Sequence, residues 1–301
     1  MNTKPLSPKL TPGQRFREAL KLNSPLQILG TPNAYTALMA KKLGAKAIYI
    51  SGGALAVMSY GLPDLGIFGL EDLLIDAQRI TDAVPDVPLI VDVDTGFGGV
   101  FNIERTIKKL IKAGVAGVHI EDQVSQKRCG HRPNKALVSP EEMCDRISVA
   151  AKTKQDLDPD FFLIARTDAY GNEGLESAIE RSKKYIQAGA DGIFAEALGS
   201  LDDYKKFCSE IKVPVLANMT EFGKTPLFNL DELKAVKVSM VLYPFAATRM
   251  MNAGAEKAYK ILLEQGTQKE LISQMQTREQ MYEYINYHDY ENRLDQLLKP
   301  A

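Results

Sequence analysis

The run Lys127-Arg128-Cys129-Gly130-His131-Arg132 sets a thiol among cations, just downstream of an apolar stretch, Val115 to Ile120, that ends in Glu121 and Asp122. Nearby positive charge favours the thiolate and eases loss of the proton, so Cys129 is a candidate for acid–base or nucleophilic work. A solvated basic loop holding a chance cysteine is the plainer alternative. Asp92 and Asp94 stand one residue apart after another apolar run, and with Glu121 they make an all-oxygen set with at most His119 beside it. Hard oxygen ligands suit Mg2+ or Mn2+ better than zinc. A structural ion pair between Asp92 and a neighbouring Arg or Lys is the competing reading. Arg166 and Arg249 can meet carboxylates through bidentate hydrogen bonds, and the amides around Ser51-Gly52-Gly53 can do so at small steric cost. A divalent ion, several anion-binding groups and a labile thiol point to a small polyanionic acid that reacts through an enolate. The ion stabilises the enolate oxygen, and the thiol moves a carbon-bound proton.

These residues need a scaffold that brings distant segments to one place, and the chain repeats in a way that supplies it. Leu43-Gly44-Ala45-Lys46-Ala47-Ile48-Tyr49-Ile50-Ser51 has the shape of Ala113-Gly114-Val115-Ala116-Gly117-Val118-His119-Ile120-Glu121 and of Ala188-Gly189-Ala190-Asp191-Gly192-Ile193-Phe194-Ala195-Glu196. In each copy a helix ends, a glycine can take the left-handed position after it, and an apolar strand follows. Eight such strands are expected, at 26–30, 47–51, 89–94, 115–122, 161–168, 192–196, 215–220 and 240–244. Helical stretches lie between them at 34–43, 70–84, 102–113, 140–154, 175–188, 202–210 and 230–235. Strand–helix alternation with near-continuous apolar strands implies a parallel sheet covered on both faces. Eight units in roughly 250 residues match a (β/α)8 barrel. An open doubly wound sheet is the weaker alternative, since no G-x-G-x-x-G follows the first strand. The expectation is one barrel domain over 1–301. Residues 1–13, with three prolines, form an irregular arm; a helix starts near Phe16; and 266–301 form a helical extension that caps the barrel or packs on another subunit.

Alternate strand residues face inward, and those at the C-terminal strand ends line a barrel's active site. The inward set is polar at nearly every end: Tyr49 and Ser51, Asp92 and Asp94, His119 and Glu121, Arg166 and Asp168, Glu196, then Asn218 and Thr220. A lone Asn or Thr would be structural, but buried unpaired charge costs several kcal/mol and would be lost repeatedly without ligand or function. No lysine falls on an inward strand position, which speaks against imine chemistry. The net charge of −1 gives no global field for nucleic acid or an anionic membrane. No apolar run approaches the ~20 residues of a membrane span, and the N-terminus lacks an apolar signal core. Three scattered cysteines fit a reducing compartment, so a cytoplasmic protein is expected.

Lys127-Arg128-Cys129-Gly130-His131, Ser51-Gly52-Gly53, Val91-Asp92-Val93-Asp94-Thr95-Gly96-Phe97-Gly98 and Ile120-Glu121-Asp122-Gln123 together resemble the isocitrate lyase and phosphoenolpyruvate mutase superfamily. The likeness runs from about Pro12 to Leu298 and takes in Gly61-Leu62-Pro63-Asp64-Leu65-Gly66 and Gln276-Thr277-Arg278. It implies cleavage of a methyl-branched tricarboxylate to pyruvate and succinate with Mg2+, or with Mn2+. Asp92 and Asp94 would hold the metal, and Asp64 and Glu121 would reach it mostly through water. Cys129 would protonate the succinate carbanion, Lys127 and His131 would tune the thiol, and Tyr49 would take the alcohol proton. Ser51, Gly52, Gly53, Gly130 and Arg166 would bind substrate, as would Glu196, Asn218, Thr220, Arg249 and Arg278. The Cys129 loop would close over bound ligand to keep water from the carbanion. The family's tetramers exchange C-terminal helices, which would account for the segment after Gln265.

Phosphoenolpyruvate mutases and phosphonopyruvate hydrolases lack the Lys-Arg-Cys-Gly-His loop, so the resemblance favours a lyase. Isocitrate lyases are much longer and carry Ser-Pro-Ser where this chain has Asn218-Met219-Thr220. Phe194 stands where they place a bulkier aromatic, which leaves room for one extra methyl. An isocitrate lyase, another enolate enzyme such as an oxaloacetate decarboxylase, and a non-catalytic carboxylate-binding barrel are the rival readings.

Overall fold

The computed structural model describes residues 10–298. The first half runs α1 Pro12–Leu22, β1 Leu26–Gly30, α2 Ala34–Lys42, β2 Ile48–Ile50, α3 Gly52–Tyr60, α4 Leu70–Ala83 and β3 Leu89–Asp92. It continues with α5 Val100–Lys112, β4 Gly117–Glu121, α6 Pro140–Leu157, β5 Phe162–Thr167, α7 Tyr170–Glu173 and α8 Leu175–Gln187. Then come β6 Gly192–Ala195, α9 Leu201–Glu210, β7 Val215–Asn218, α10 Leu230–Ala235, β8 Met240–Tyr243 and α11 Ala246–Gln265. A 3-10 turn, Lys269–Gln274, leads to α12 Arg278–Ile285 and α13 Tyr287–Leu297. The eight strands form a closed parallel barrel in chain order. It is shut by β1 against β8, where Leu26 to Leu29 pair with Met240 to Tyr243. All eight expected strands are present, each ending within a few residues of its expected limit. The repeated glycines do what the pattern implied: Gly44, Gly114 and Gly189 sit at φ 93°, 111° for the last and 77° for the second, where a Cβ would be strained.

Two apolar clusters follow from strand alternation. One lies between sheet and helices, with Val91, Val118, Ile120, Leu163 and Ile193 among its members. The other fills the barrel interior with Leu26, Ile28, Ile90, Phe162, Ile164, Phe194, Leu216 and Met240. Phe16 of α1 closes the bottom of the interior; it is fully buried, and its ring centroid lies 4.9 Å from that of Phe162. Helix α1 begins at Pro12 rather than near Phe16, because Thr11 and Gln14 form a capping box and proline suits the first turn. The expected irregular arm is therefore shorter than 1–13, and residues 1–9 of it lie outside the described residues. Phe16→Ala should cost about 3–5 kcal/mol of stability by opening a cavity at the barrel floor. Urea unfolding would measure this; a loss under about 1 kcal/mol would mean the floor does not need this ring.

Helix α3 was not anticipated. Two leading glycines read as a loop, yet Ser51 caps the helix by accepting the Ala54 amide. The C-terminal extension is two helices broken at Asn286, whose φ is 53°, and not one run. Helix α12 packs on α2 of the same chain, where Lys42 Nζ lies 2.8 Å from Glu283, and just before the helix Gln276 Oε1 accepts the Tyr35 hydroxyl (2.9 Å). Helix α11 buries only Thr248 and Ile261 and leaves Met250, Tyr259 and Leu263 largely exposed. Among the described residues no helix is long and apolar enough to cross a membrane.

Candidate active site

Strand ends converge at the top of the barrel on one cavity. Its wall includes Tyr49, Ser51, Asp64, Asp92, Arg166, Phe194, Glu196, Asn218 and Thr220 from the rim, and Lys127, Cys129, Gly130 and His131 from the loop after β4. The cavity measures about 60 Å³, far below the roughly 300 Å³ at which small-molecule pockets begin. The loop is thus folded down, and it must lift for a tricarboxylate to enter.

The acids sit where the strand ends put them. Asp92 accepts the Gly52 amide at Oδ2 (3.1 Å) and the Asp94 amide at Oδ1 (3.0 Å). The Gly52 amide is therefore taken up by Asp92 and is not offered to a ligand. Asp94 lies just past the strand in the left-handed region, at φ 48°. Lys127 Nζ lies 2.7 Å from Asp64 Oδ1 and 2.6 Å from Asp94 Oδ1, the latter outside hydrogen-bond geometry. Burial would raise Asp92, but the charges of Lys127 and Arg166 and the hydrogen bond from the Asp94 amide hold it low. Burial pushes Asp94 and Glu121 upward. Both Glu121 side-chain oxygens are buried without a hydrogen-bond donor, although Arg166 Nη1 is 3.1 Å from one of them.

Arg166 is the central cation. It donates to Asp168 (Nε to Oδ2, 2.9 Å) and lies 3.4 Å from Glu196 Oε2, with Phe194 stacked 5.2 Å from the guanidinium. Burial works against its charge, but Asp168, Glu121 and Glu196 outweigh it. Asn218 Nδ2 faces both Glu196 oxygens at 3.5 and 3.4 Å. Tyr49 Oη is 2.7 Å from His119 Nε2. Burial lowers His119 to about 4, so it is neutral at pH 7. Its Nδ1 has no partner. Nε2 is therefore the ring nitrogen through which His119 can exchange a proton with the Tyr49 hydroxyl.

The thiol differs from expectation. The loop's cations were expected to favour the thiolate, yet burial pushes Cys129 above its ordinary value. Lys127 is committed to Asp64 and Asp94. His131 has its Nε2 3.1 Å from Glu196 Oε1 and accepts the Lys224 amide at Nδ1, while its backbone amide is the group that reaches Cys129. Cys129 is set up as an acid. A forward rate that needs its S–H should hold through the ordinary thiol range near pH 8.5 and fall only above it. A pH–rate profile whose alkaline limb is centred below about pH 8.5 would contradict this.

Asp64, Asp94, Glu121, Asp168 and Glu196 share three cationic side chains, Lys127, Lys135 and Arg166, and Asp92 lies in the field of Lys127 and Arg166 without an ion pair to any of the three. Buried negative charge in excess is costly, and a divalent cation beside Asp92 and Asp94 would offset it. The orphaned oxygens of Glu121 fit the same reading. Among the described residues no three His, Cys, Asp or Glu side chains form a closed ligand set, so such an ion would keep water, as Mg2+ does. Arg249 and Arg278 are not brought in. Arg249 is exposed at the rim against Phe245 and paired with Glu221, and Arg278 is exposed at the start of α12. Lys135 was missed as a site residue, since it stands in a polar loop with no periodicity to mark it, and Asp168 was placed at an inward strand end but given no role.

The family model described as phosphoenolpyruvate phosphomutase matches residues 16–263. A Vibrio cholerae protein named 2-methylisocitrate lyase is 56% identical over 294 residues, covering 96% of this chain and 94% of that one. A crystal structure of 2,3-dimethylmalate lyase, described as a PEP mutase/isocitrate lyase superfamily member, superposes with a TM-score of 0.88 at 32% identity, over 98% and 97% of the two chains. Phosphonopyruvate hydrolase in complex with oxalate and Mg2+ superposes with a TM-score of 0.83 at 26% identity, over 96% and 99%.

Proposed function

The chain belongs to the phosphoenolpyruvate phosphomutase family and is a carbon–carbon lyase acting on 2-methylisocitrate, and we propose that it uses the residues at the barrel mouth as follows. Arg166, Asn218 and Thr220 bind the substrate carboxylates once the loop lifts and recloses. Phe194 and Leu242, apolar members of the cavity wall, receive the methyl-bearing end. Tyr49 holds the C2 hydroxyl and takes up its proton as its own phenolic proton passes to Nε2 of neutral His119. The C2–C3 bond then breaks, its electrons pass to the succinate carbon, and pyruvate forms at the other side. The Cys129 S–H gives its proton to that carbon, which completes succinate. Asp92 and Asp94, with Asp64 and Glu121 through water, would hold Mg2+ or Mn2+, which supplies Lewis-acid stabilisation of the oxoacid oxygens. Arg249 and Arg278 carry no part of this step in the closed arrangement.

The observation that carries this reading is a thiol kept protonated by burial in the same cavity as Arg166 and the aspartates. A non-catalytic binder would have no use for such an acid. The test is a coupled assay for pyruvate from 2-methylisocitrate against glyoxylate from isocitrate, with and without chelator. One methyl in an apolar pocket is worth roughly 10- to 200-fold, so kcat/KM should favour the methylated acid within that range; preference for isocitrate would overturn the substrate. The reading extends to a cytoplasmic homotetramer in propionate catabolism by the methylcitrate cycle. It takes 1–301 as one domain whose C-terminal helices exchange with neighbours. The uncovered apolar side chains of α11 support that exchange.

A further inference from the structure

The loop bearing Cys129 is held at both ends by β-type pairing. Val124 donates its amide to Ala136 O (3.0 Å), and Val138 donates to Asp122 O (2.9 Å). Between these pins the side chain of Lys135 folds back beneath the tip. Its Nζ lies 2.6 Å from Gly130 O and 2.6 Å from Asp168 Oδ1. Lys135 is 7% exposed and Asp168 is fully buried, and neither lines the substrate cavity. Asp168 in turn accepts Arg166 Nε at 2.9 Å and Nη2 at 3.2 Å. Gly130 sits directly against the same guanidinium: a Cβ there would fall 2.5 Å from Arg166 Nη2 and 2.7 Å from Glu196 Oε2. The position of the loop tip and the aim of the substrate-facing arginine therefore meet at one carboxylate.

We propose that Lys135 is a positioning residue that latches the Cys129 loop shut by tying the Gly130 carbonyl to Asp168, and that Asp168 couples this closure to the orientation of Arg166. A buried ammonium is costly unless paired, and Asp168 is its partner. The bond to Gly130 O exists only while the tip is down. When the loop lifts, Lys135 loses one acceptor and Asp168 keeps Arg166, so the closed form gains a charge-assisted hydrogen bond that the open form lacks. Asn172 Nδ2 donates to Lys135 O at 2.7 Å and steadies the stem of the latch from an exposed position. The kinetic part of the proposal rests on the lyase reading. The closure part does not.

The test is alkylation by iodoacetamide, followed by mass mapping of Cys129 with Cys208 as the internal control. Burial pushes the Cys208 thiol up to about 12, so it reacts slowly unless the fold loosens. In K135M, Cys129 should label roughly tenfold faster or more, as expected from loss of a hydrogen bond to a charged group, with Cys208 unchanged. In the same variant kcat should fall by a larger factor than KM rises, because the latch acts after substrate has entered. N172A should shift Cys129 labelling in the same direction by about threefold, the size of a neutral hydrogen bond. Wild-type rates of Cys129 labelling and turnover in K135M would overturn the proposal. Should K135M also expose Cys208, it is unfolding, and N172A decides: faster labelling confined to Cys129 supports the latch, and no change overturns it. Faster labelling in a protein that turns over no tricarboxylate would instead leave the latch standing and reject the lyase reading.

Discussion

Cys129→Ser should lower kcat by roughly 10²- to 10⁴-fold, the usual contribution of a positioned general acid, while KM changes little. Serine nearly preserves the shape of the side chain, so the loop can still close and the carboxylates can still be gripped. Its hydroxyl is a far weaker acid than a thiol and cannot deliver a proton to carbon in time with bond cleavage. A group used mainly in the transition state shows this division between kcat and KM. Burial keeps the native thiol protonated, so the acid form is the resting form and no prior protonation step is needed. The measurement is initial-rate pyruvate formation across substrate concentration. A variant within tenfold of wild-type kcat would remove the thiol from the rate-determining proton transfer.

Asp92→Ala should cost activity on the order of 10²- to 10³-fold or more, since Lewis-acid stabilisation is worth several kcal/mol, and should abolish metal dependence with it. Two consequences of the geometry add up here. The carboxylate is expected to be a direct ligand of the divalent ion, and its two oxygens also fix the amides of Gly52 and Asp94. Asp92→Asn separates these: the amide keeps one acceptor for the backbone but loses the charge. A readout independent of turnover is thermal unfolding with and without Mg2+. An ion that binds the folded form at 100 times its Kd adds about 2.7 kcal/mol of stability, so the wild-type midpoint should rise with Mg2+ and that of either variant should not. Turnover by the wild type in excess chelator would reject the role given to the metal.

The barrel was legible because its code is local. Strand period, helix period and a glycine after each helix are properties of neighbouring residues, and they hold whether or not the sheet has closed. Alternation then placed Tyr49, Asp92, His119, Glu121, Arg166, Glu196 and Asn218 on the inner face. Helix α3 escaped because two glycines mask an otherwise apolar helical stretch that Ser51 caps. The break at Asn286 escaped because a lone asparagine, though it tolerates the left-handed φ found there, does not by itself mark a helix end.

What the sequence determined by itself was the closed barrel, the ring of polar strand ends and the presence of the thiol among them. Tertiary structure alone decided the state of that thiol. Lys127, beside it in the chain, turns to Asp64, 63 residues away, and to Asp94. Lys135, an unremarked loop residue, joins Gly130 to Asp168, 33 residues on. Charges in a buried site are governed by which partners closure brings within a few ångströms and by how much water it removes. Neither quantity exists until the chain has folded.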